Sequence, residues 1–338
     1  MHAMPRVTAV MLAWGDEPLL VDAVQAVLAS EGAEVDVVLV DNGCTSDALL
    51  KLEGEPGVTL LRPGKNLGFA GGCNLGARQA TGEFVAFVNG DALVTPTALS
   101  RLTAALVPGV ALATASLRLY AEPDIMNSAG NPVHFTGLSW AGGLGRPSAD
   151  YEVRRDVASA SGAATVCRAE MFEQLGGFCD TMFAYCEDTD LSLRAWQRGW
   201  RVVYVPDAVV LHHYEFSRNP EKLYLLERNR MFMVLTVFGP ALLAWALLPL
   251  VLLELATTAI ALRDGWARQK FRAWLWLARN ARLIAGRRRI VRAARVMPDG
   301  AFARILTGDL DPGVPGLAVP RLVQTGSRSY WNLARRFM

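Results

Sequence analysis

Residues 162–213 read GAATVCRAEMFEQLGGFCDTMFAYCEDTDLSLRAWQRGWRVVYVPDAVVLHH, and their punctuation sets the kind of fold the chain adopts. A small-residue turn leads into a helical segment, and Gly176-Gly177-Phe178 interrupts it. The acidic knot Glu187-Asp188-Thr189-Asp190 then opens a second helix, and a β-branched strand follows, closed by His212-His213. Helix and strand therefore alternate, with carboxylates at a helix start and imidazoles at a strand end.

The same alternation runs upstream, as expected of a mostly parallel sheet with helices on both faces. Val7–Ala13 reads as the first strand, and Pro18–Ser30 as a helix with Leu20, Val24, Val27 and Leu28 on one face. Pro18 suits the first turn of that helix. Val35–Val40 is an unbroken apolar strand, the pattern of burial on both faces. Val58–Leu61 and Phe84–Val88 are further strands, with a helix expected from about Gly72 to Ala80 between them. In such sheets ligands sit beyond the carboxyl ends of the strands, and the polar motifs fall there.

The chain has 338 residues and a formal net charge of +2, enough for one large α/β domain with an appendage and no bulk attraction to nucleic acid. The five cysteines (Cys44, Cys73, Cys167, Cys179, Cys186) form no CxxC pair and read as reduced thiols of a cytosolic protein. Strand-like residues begin at Val7, so no secretion signal is expected.

Three motifs sit at strand ends. Asp41-Asn42-Gly43-Cys44-Thr45-Ser46-Asp47 follows the second strand. Asp41 is placed to accept from a base or a ribose hydroxyl, although an Asx turn explains the same residues. The stretch Asn66-Leu67-Gly68-Phe69-Ala70-Gly71-Gly72-Cys73-Asn74 permits close backbone approach and a helix start whose N–H groups could face phosphate. On that reading Asn66, Gly68 and Asn74 belong to a donor site. Asn89-Gly90-Asp91 ends the fourth strand. Asp91 there suits a hard divalent cation held against two phosphates, with a strand-terminating turn as the plainer alternative.

Taken together and in order, DNGCTSD, NLGFAGGCNLGARQATGEFVAFVNGDA and GGF…EDTDLSLR…HH resemble family 2 glycosyltransferases over roughly residues 6–230. The resemblance implies the GT-A fold, a nucleotide-diphospho-sugar-binding α/β domain, and inverting, metal-dependent sugar transfer. It implies that Asp41 contacts the nucleobase and that Asn89 and Asp91 stand for the DxD motif, with Asp91 on Mg²⁺ or Mn²⁺. Asp188 would be the catalytic base, with Glu187 beside it on the acceptor side. His212 or His213 would complete the metal or diphosphate site. Asn89 replaces the first aspartate of DxD, a variation shared with rhamnosyltransferase-like relatives, which makes dTDP-rhamnose the expected donor. No QxxRW motif follows the histidines, so addition of one or a few sugars is favoured over processive synthesis. In Glu187-Asp188-Thr189-Asp190, Asp190 is expected to pair with Arg194 one turn on while Asp188 does the chemistry.

Beyond Arg218 the composition changes. Met231–Leu262 is thirty-two residues with one charged side chain, Glu254, and is broken by Pro240 and Pro249. Between Arg263 and Arg295 lie eleven Lys and Arg residues and one acid, interleaved with Trp266, Phe271, Trp274 and Trp276. We expect a re-entrant or surface-lying helical pair on the cytoplasmic face of the cell membrane, with Trp and Arg at headgroup level. A buried interface and one spanning helix are the alternatives. Tyr224, Arg228 and Asn229, at the junction, are placed to meet the diphosphate of a lipid-linked acceptor or to pack. The expected division is thus 1–218 catalytic, 219–300 helical and membrane-associated, and 301–338 a loop-rich tail. The implied partners are a nucleotide-sugar donor, a lipid-linked or cell-envelope glycan acceptor, and the cytoplasmic membrane surface. Two other classes fit the sequence less well. A nucleotidyltransferase would want a basic Gly-rich loop after the first strand, where Trp14-Gly15-Asp16-Glu17 is acidic. A degenerate, membrane-anchored nucleotide-sugar-binding scaffold is suggested only by Asn89.

Overall fold

The computed structural model describes residues 4–214, 221–310 and 319–338. The boundary expected near Arg218, and Pro312 and Pro315 of the tail, lie outside them. Strands β1 (Arg6–Gly15), β2 (Glu34–Cys44), β3 (Val58–Leu61), β4 (Phe84–Val88), β5 (Ala92–Val94), β6 (Val110–Leu119), β7 (Met126–Ser128), β8 (Arg155–Asp156), β9 (Ala164–Arg168) and β10 (Arg201–His212) form one mixed sheet. Its order is β3-β2-β1-β4-β9-β6-β10-β5, with β7 on β6 and β8 on β10. β3, β2, β1 and β4 run parallel, whereas β9 is antiparallel to both β4 and β6.

The chain winds from β1 outward to β3 and then returns to β4 on the other side of β1. That reversal opens a crevice beyond the carboxyl ends of β1 and β4, the place where doubly wound sheets bind ligands. Asn89-Gly90-Asp91 leaves β4 there.

Alternation along β1 divides the core. Of the helices α1 (Leu20–Leu28), α2 (Ala48–Leu52), α3 (Gly68–Ala77) and α4 (Ala98–Ala105), Val7, Ala9, Met11 and Ala13 share a core with α1, α2 and α4. Val10 and Leu12 face α3 on the opposite side, in a core shared with α5 (Ala169–Leu175) and α6 (Glu187–Gln197). Leu20, Val24 and Val27 of α1 are fully covered, each worth about 1.5–3 kcal/mol by burial. A charge at Val24 would therefore detach α1.

The second core continues into a helical layer of α7 (Lys222–Val237), α8 (Pro240–Arg263), α9 (Ala267–Arg279) and α10 (Ala281–Ala293). The apolar run expected as a helical pair broken by Pro240 and Pro249 is divided at Pro240 alone. Its first part is the buried half of α7, and its second is α8, which starts at Pro240 and carries Pro249 within one continuous helix. The tail also differs from the expected loops. α11 (Asp299–Phe302) and α12 (Arg321–Ala334) are helical, and Trp331 stacks on Phe135 with centroids 4.5 Å apart. His134 Nε2 meets Ser327 Oγ at 2.9 Å, fastening α12 to the loop after β7.

Candidate active site

The end of β10 builds one half of the site. Antiparallel pairing with β5 sets His212 opposite Ala92, so Asp91 arrives beside the two histidines. His212 Nε2 lies 3.2 Å from Asp91 Oδ1, and its Nδ1 lies 2.9 Å from Asn127 Oδ1 on β7. With the ring proton on Nδ1 toward Asn127, a bare Nε2 lone pair faces a carboxylate oxygen. Two acceptors that close call for a proton or a cation between them. A separation of 3.2 Å also matches neighbouring ligands of an octahedral ion with bonds of about 2.1 Å, which stand roughly 3 Å apart. Asn127 then plays the outer partner that fixes tautomer and ring orientation.

His213 does not share this place. Its N–H donates to the Asp91 carbonyl (2.9 Å), while its ring packs edge-on to Tyr120. Strand alternation sends adjacent side chains to opposite faces, so His212 faces the Asp91 carboxylate and His213 does not. Among the described residues, no three His, Cys, Asp or Glu side chains gather to hold a metal. An ion on Asp91 and His212 would take its remaining ligands from phosphate or water.

The acidic knot builds the other half. Asn89 N–H donates to the Ala163 carbonyl (3.0 Å), and the neighbouring Gly162 N–H donates to Asp188 Oδ2 (3.0 Å). The turn that opened the quoted stretch thus joins the end of β4 to the first turn of α6. Asp188 Oδ1 accepts from the N–H of Thr189 (2.6 Å) and its hydroxyl (3.3 Å). Burial raises the Asp188 carboxyl above the usual aspartate range, while these donors and the positive helix end oppose the rise. Glu187 is 6% exposed, and among the described residues its Oε2 has no hydrogen-bond partner. Burial, reinforced by the Asp188 charge, pushes its carboxyl well up. Two adjacent carboxyls therefore sit in different environments, one solvated by donors and one stranded.

Asp190 takes the structural role expected for it. Its Oδ2 accepts from Arg194 Nε at 2.8 Å, and Arg287 of α10 adds two contacts at 2.7 and 2.8 Å. Burial works against the Asp190 charge, but Arg287 and Arg194 outweigh it and hold the carboxyl below its usual range.

The segment before the knot is bent. Phe183, Tyr185 and Cys186 have φ of 65°, 69° and 67°, the left-handed region that costs about 1–2 kcal/mol per non-glycine residue. Gly68 fits against this bend. At φ 73° it has no Cβ, and one built there would lie 2.4 Å from the Phe183 carbonyl. The Gly-rich stretch therefore packs, and does not lie open. Gly68 N–H donates to Asn66 Oδ1 (2.7 Å), Leu67 N–H to Asn42 Oδ1 (2.7 Å), and Ala70 N–H to the Phe183 carbonyl (3.0 Å). These N–H groups, expected to face phosphate, are turned to protein acceptors. α3 accordingly begins at Gly68, not near Gly72.

The remaining candidates divide between site and scaffold. Asp41 Oδ1 accepts from Gly43 and Cys44 N–H, both at 3.1 Å, so the Asx turn forms with the carboxylate at the carboxyl end of β2. Asn74 bridges to Phe178 and Asp180, tying α3 to the segment leading into the bend. The Tyr224 ring meets the guanidinium groups of Arg228 and Arg272, 5.3 and 4.4 Å from its centroid. Arg228, expected toward an acceptor, is buried and donates to the carbonyls of Thr181 (3.0 Å) and Met182 (2.7 Å). Asn229, expected beside Arg228 toward an acceptor or to pack, is fully buried, and the partners of Asn229, Asn127 and Arg287 carry no sequence signal. Each pairs across a long sequence distance, and no local pattern marks it.

A sequence profile described as "Glycosyltransferase like family 2" matches residues 5–232. The O-antigen biosynthesis protein RfbC of Myxococcus xanthus is 31% identical over 234 residues, 65% of this chain and 18% of that protein. The N-acetylglucosaminyl-diphospho-decaprenol L-rhamnosyltransferase of Mycobacterium tuberculosis is 48% identical over 59 residues, 18% of this chain and 19% of that enzyme. The matched spans thus cover about a fifth of each of these relatives. The mannosyltransferase PcManGT from Pyrobaculum calidifontis, solved with GDP-Man and Mn²⁺, superposes with a TM-score of 0.52 at 19% identity, over 99% of this chain and 87% of that one. At that identity the likeness is one of fold, the GT-A arrangement.

Proposed function

The chain belongs to glycosyltransferase family 2, and from that premise we propose that it moves one sugar, with inversion, from a nucleotide-diphosphate donor to an acceptor hydroxyl. The observation that carries this reading is the convergence of two unlike carboxylate settings on the crevice beyond β4. Asp91 stands beside His212 at one wall, and Asp188 is bonded to the turn that holds Asn89 at the other.

Asp188, ionised, accepts the proton of the acceptor hydroxyl as that oxygen attacks the anomeric carbon. The bond from that carbon to the diphosphate oxygen breaks on the opposite face, and its electron pair leaves with the nucleoside diphosphate. Asp91 and His212 would hold Mg²⁺ or Mn²⁺, whose charge offsets that of the departing diphosphate when it is bound. Asn127 keeps the His212 ring in register for this task. Asp41, at the end of β2, is placed to read the nucleoside. Glu187 lines the acceptor side.

The donor we propose is dTDP-rhamnose, and the acceptor a polyprenyl-diphosphate-linked or cell-envelope glycan. The rhamnosyltransferase and O-antigen relatives support both. We place the enzyme on the cytoplasmic membrane surface. α8 is the one helix among the described residues long and apolar enough to cross a membrane, with mean hydropathy 2.0. Leu247, Leu248, Val251, Leu252 and Leu255 stand on its exposed side. Arg263 at its end, Arg268 and Arg279 of α9 and Arg282 of α10 are exposed, as an anionic surface would favour.

The test is thermal stabilisation of the full chain by dTDP, UDP, GDP and their sugars, with and without Mn²⁺. Ligands that bind only the folded state raise its melting point. A Mn²⁺-dependent shift with one nucleotide is expected. No shift with any, in a folded sample, would overturn the reading.

A further inference from the structure

We propose that Asn229, seconded by Arg228, is a positioning residue for the catalytic carboxylate, acting through the backbone of the bend at Thr181–Cys186. The inference rests on the reading of Asp188 as the base.

Three of the six residues from Thr181 to Cys186 have positive φ, and they are the only non-glycine residues among those described that do. Such a segment does not hold its shape by local preference. It holds because every carbonyl along it is captured. Asn229 Nδ2 lies 2.8 Å from each of the Met182, Ala184 and Tyr185 carbonyls. Arg228 Nη2 donates to Thr181 and Met182, Ala70 N–H to Phe183, and Asp190 N–H to Cys186. One amide thus gathers three carbonyls that point inward, where no water reaches a side chain of 0% exposure. Arg228 Nε in turn donates to Asn229 Oδ1 at 2.9 Å, fixing which end of the amide faces the bend.

The bend delivers Cys186 as the residue before α6, and Glu187 and Asp188 follow in its first turn. Asp188 is therefore aimed by a backbone that α7 holds. Arg287 of α10 grips the same first turn from its other side through Asp190. Losing the Asn229 amide leaves the Ala184 and Tyr185 carbonyls without their donor, with Met182 still held by Arg228, and frees the left-handed residues to relax. The displacement passes to Asp188, two residues after Cys186, while Asp91, just before β5, and His212, at the end of β10, keep their places.

The test compares the full chain with Asn229→Ala, Asp188→Asn and the double variant. Amide hydrogen exchange needs no substrate. It is expected to speed at least tenfold over residues 181–190 in Asn229→Ala, with the strands of the sheet unchanged. Transfer from dTDP-rhamnose to polyprenyl-diphospho-N-acetylglucosamine should lose 10- to 100-fold in kcat with the donor KM within twofold. In the Asp188→Asn background the Asn229 change should cost less than twofold further. Unaltered exchange at 181–190 would overturn the proposal, as would a donor KM that rises in step with the fall in kcat. A full additional loss in the double variant would overturn it too. A near-normal Asp188→Asn would instead refute the base on which it stands. If Asn229→Ala does not fold, Arg228→Lys keeps a cation at the Thr181 and Met182 carbonyls and should loosen only residues 181–183. Uniform loosening of the chain in that variant would count against positioning.

Discussion

Replacing Glu187 by Gln should stabilise the protein, and by an amount that depends on pH. The carboxyl is buried, its Oε2 has no partner among the described residues, and burial together with the Asp188 charge raises its pKa well above the usual glutamate range. Below about pH 4.3 the group is protonated in both folded and unfolded chains, and the folded state loses nothing. As pH rises, the unfolded chain releases its proton first, so folding is disfavoured by about 1.4 kcal/mol per pH unit until the raised native pKa is passed. Relaxation of the site limits the total, and an unsatisfied buried polar group costs about 1–3 kcal/mol, more if charged. Gln keeps the shape of the neutral acid and cannot ionise. For 338 residues at roughly 2.1 cal/mol/K each, the unfolding entropy is about 0.7 kcal/mol/K, so the gain near pH 8 is about 1.5–4 °C. Differential scanning fluorimetry at pH 4.5 and pH 8 reads both ends. The gain should be near zero at the lower pH. An equal gain at both, or a loss at pH 8, would mean that Glu187 is charged in the fold and compensated, and the unequal division of charge between Glu187 and Asp188 would be wrong.

The other expectations concern chemistry and the membrane. Asp188→Asn should retain the nucleotide-induced thermal shift and cut transfer by about 10²- to 10⁴-fold, the usual contribution of a positioned base. Because burial raises the Asp188 pKa, the acid limb of the wild-type rate profile should fall above the ordinary aspartate value, and a rate flat down to pH 4 would count against it. His212→Ala should abolish the Mn²⁺-dependent part of the nucleotide shift and leave the metal-free part, which isothermal titration with dTDP measures. The double change Leu248→Glu and Leu252→Glu, on exposed positions of α8, should stop flotation with anionic liposomes while thermal stability holds, and continued flotation would remove α8 from the membrane.

How much of this was legible depends on the range over which each signal acts. The strands were plain because alternation and unbroken apolar runs are local. Val58–Leu61 and Phe84–Val88 stand where expected, and the outer ends of β1 and β2 shift by a few residues. Asp91, Asp188 and Asp190 were legible because they follow strand ends or open a helix. His212 and His213 could not be separated by sequence, since only the β5 pairing says which ring faces Asp91. The glycines of residues 68–76 were expected to permit close backbone approach at a helix start, and in the fold what approaches them is protein. Gly76 is small because a Cβ there would sit 2.4 Å from Val10 Cγ1 on β1. Composition alone does not distinguish close packing from close approach to a ligand.

The basic block carries the same lesson, and it bears on how the membrane reading is tested. Counted along the chain, its residues are one positive patch, yet they face two ways. Lys270 is 0% exposed and lies 2.5 Å from Glu227 and 2.9 Å from Glu254, while Arg287 is spent on Asp190. Glu254, the lone charge of the apolar run, also pairs with Arg230 and accepts from Trp274 Nε1 at 2.8 Å. To cross a bilayer α8 would have to abandon those partners, and a bare acid at the centre of a membrane helix costs about 2.5–3.5 kcal/mol or more. A helix lying on the surface keeps Glu254 on its inner side and its leucines outward, so the ion pairs argue for lying and against spanning. They also forbid the simplest deletion. Removing residues 231–295 would take away Arg287 with the apolar helix and cut α7 just beyond Asn229, so loss of flotation and loss of activity would arrive together. Substitutions confined to the outward leucines are the perturbation that separates the membrane from the active site.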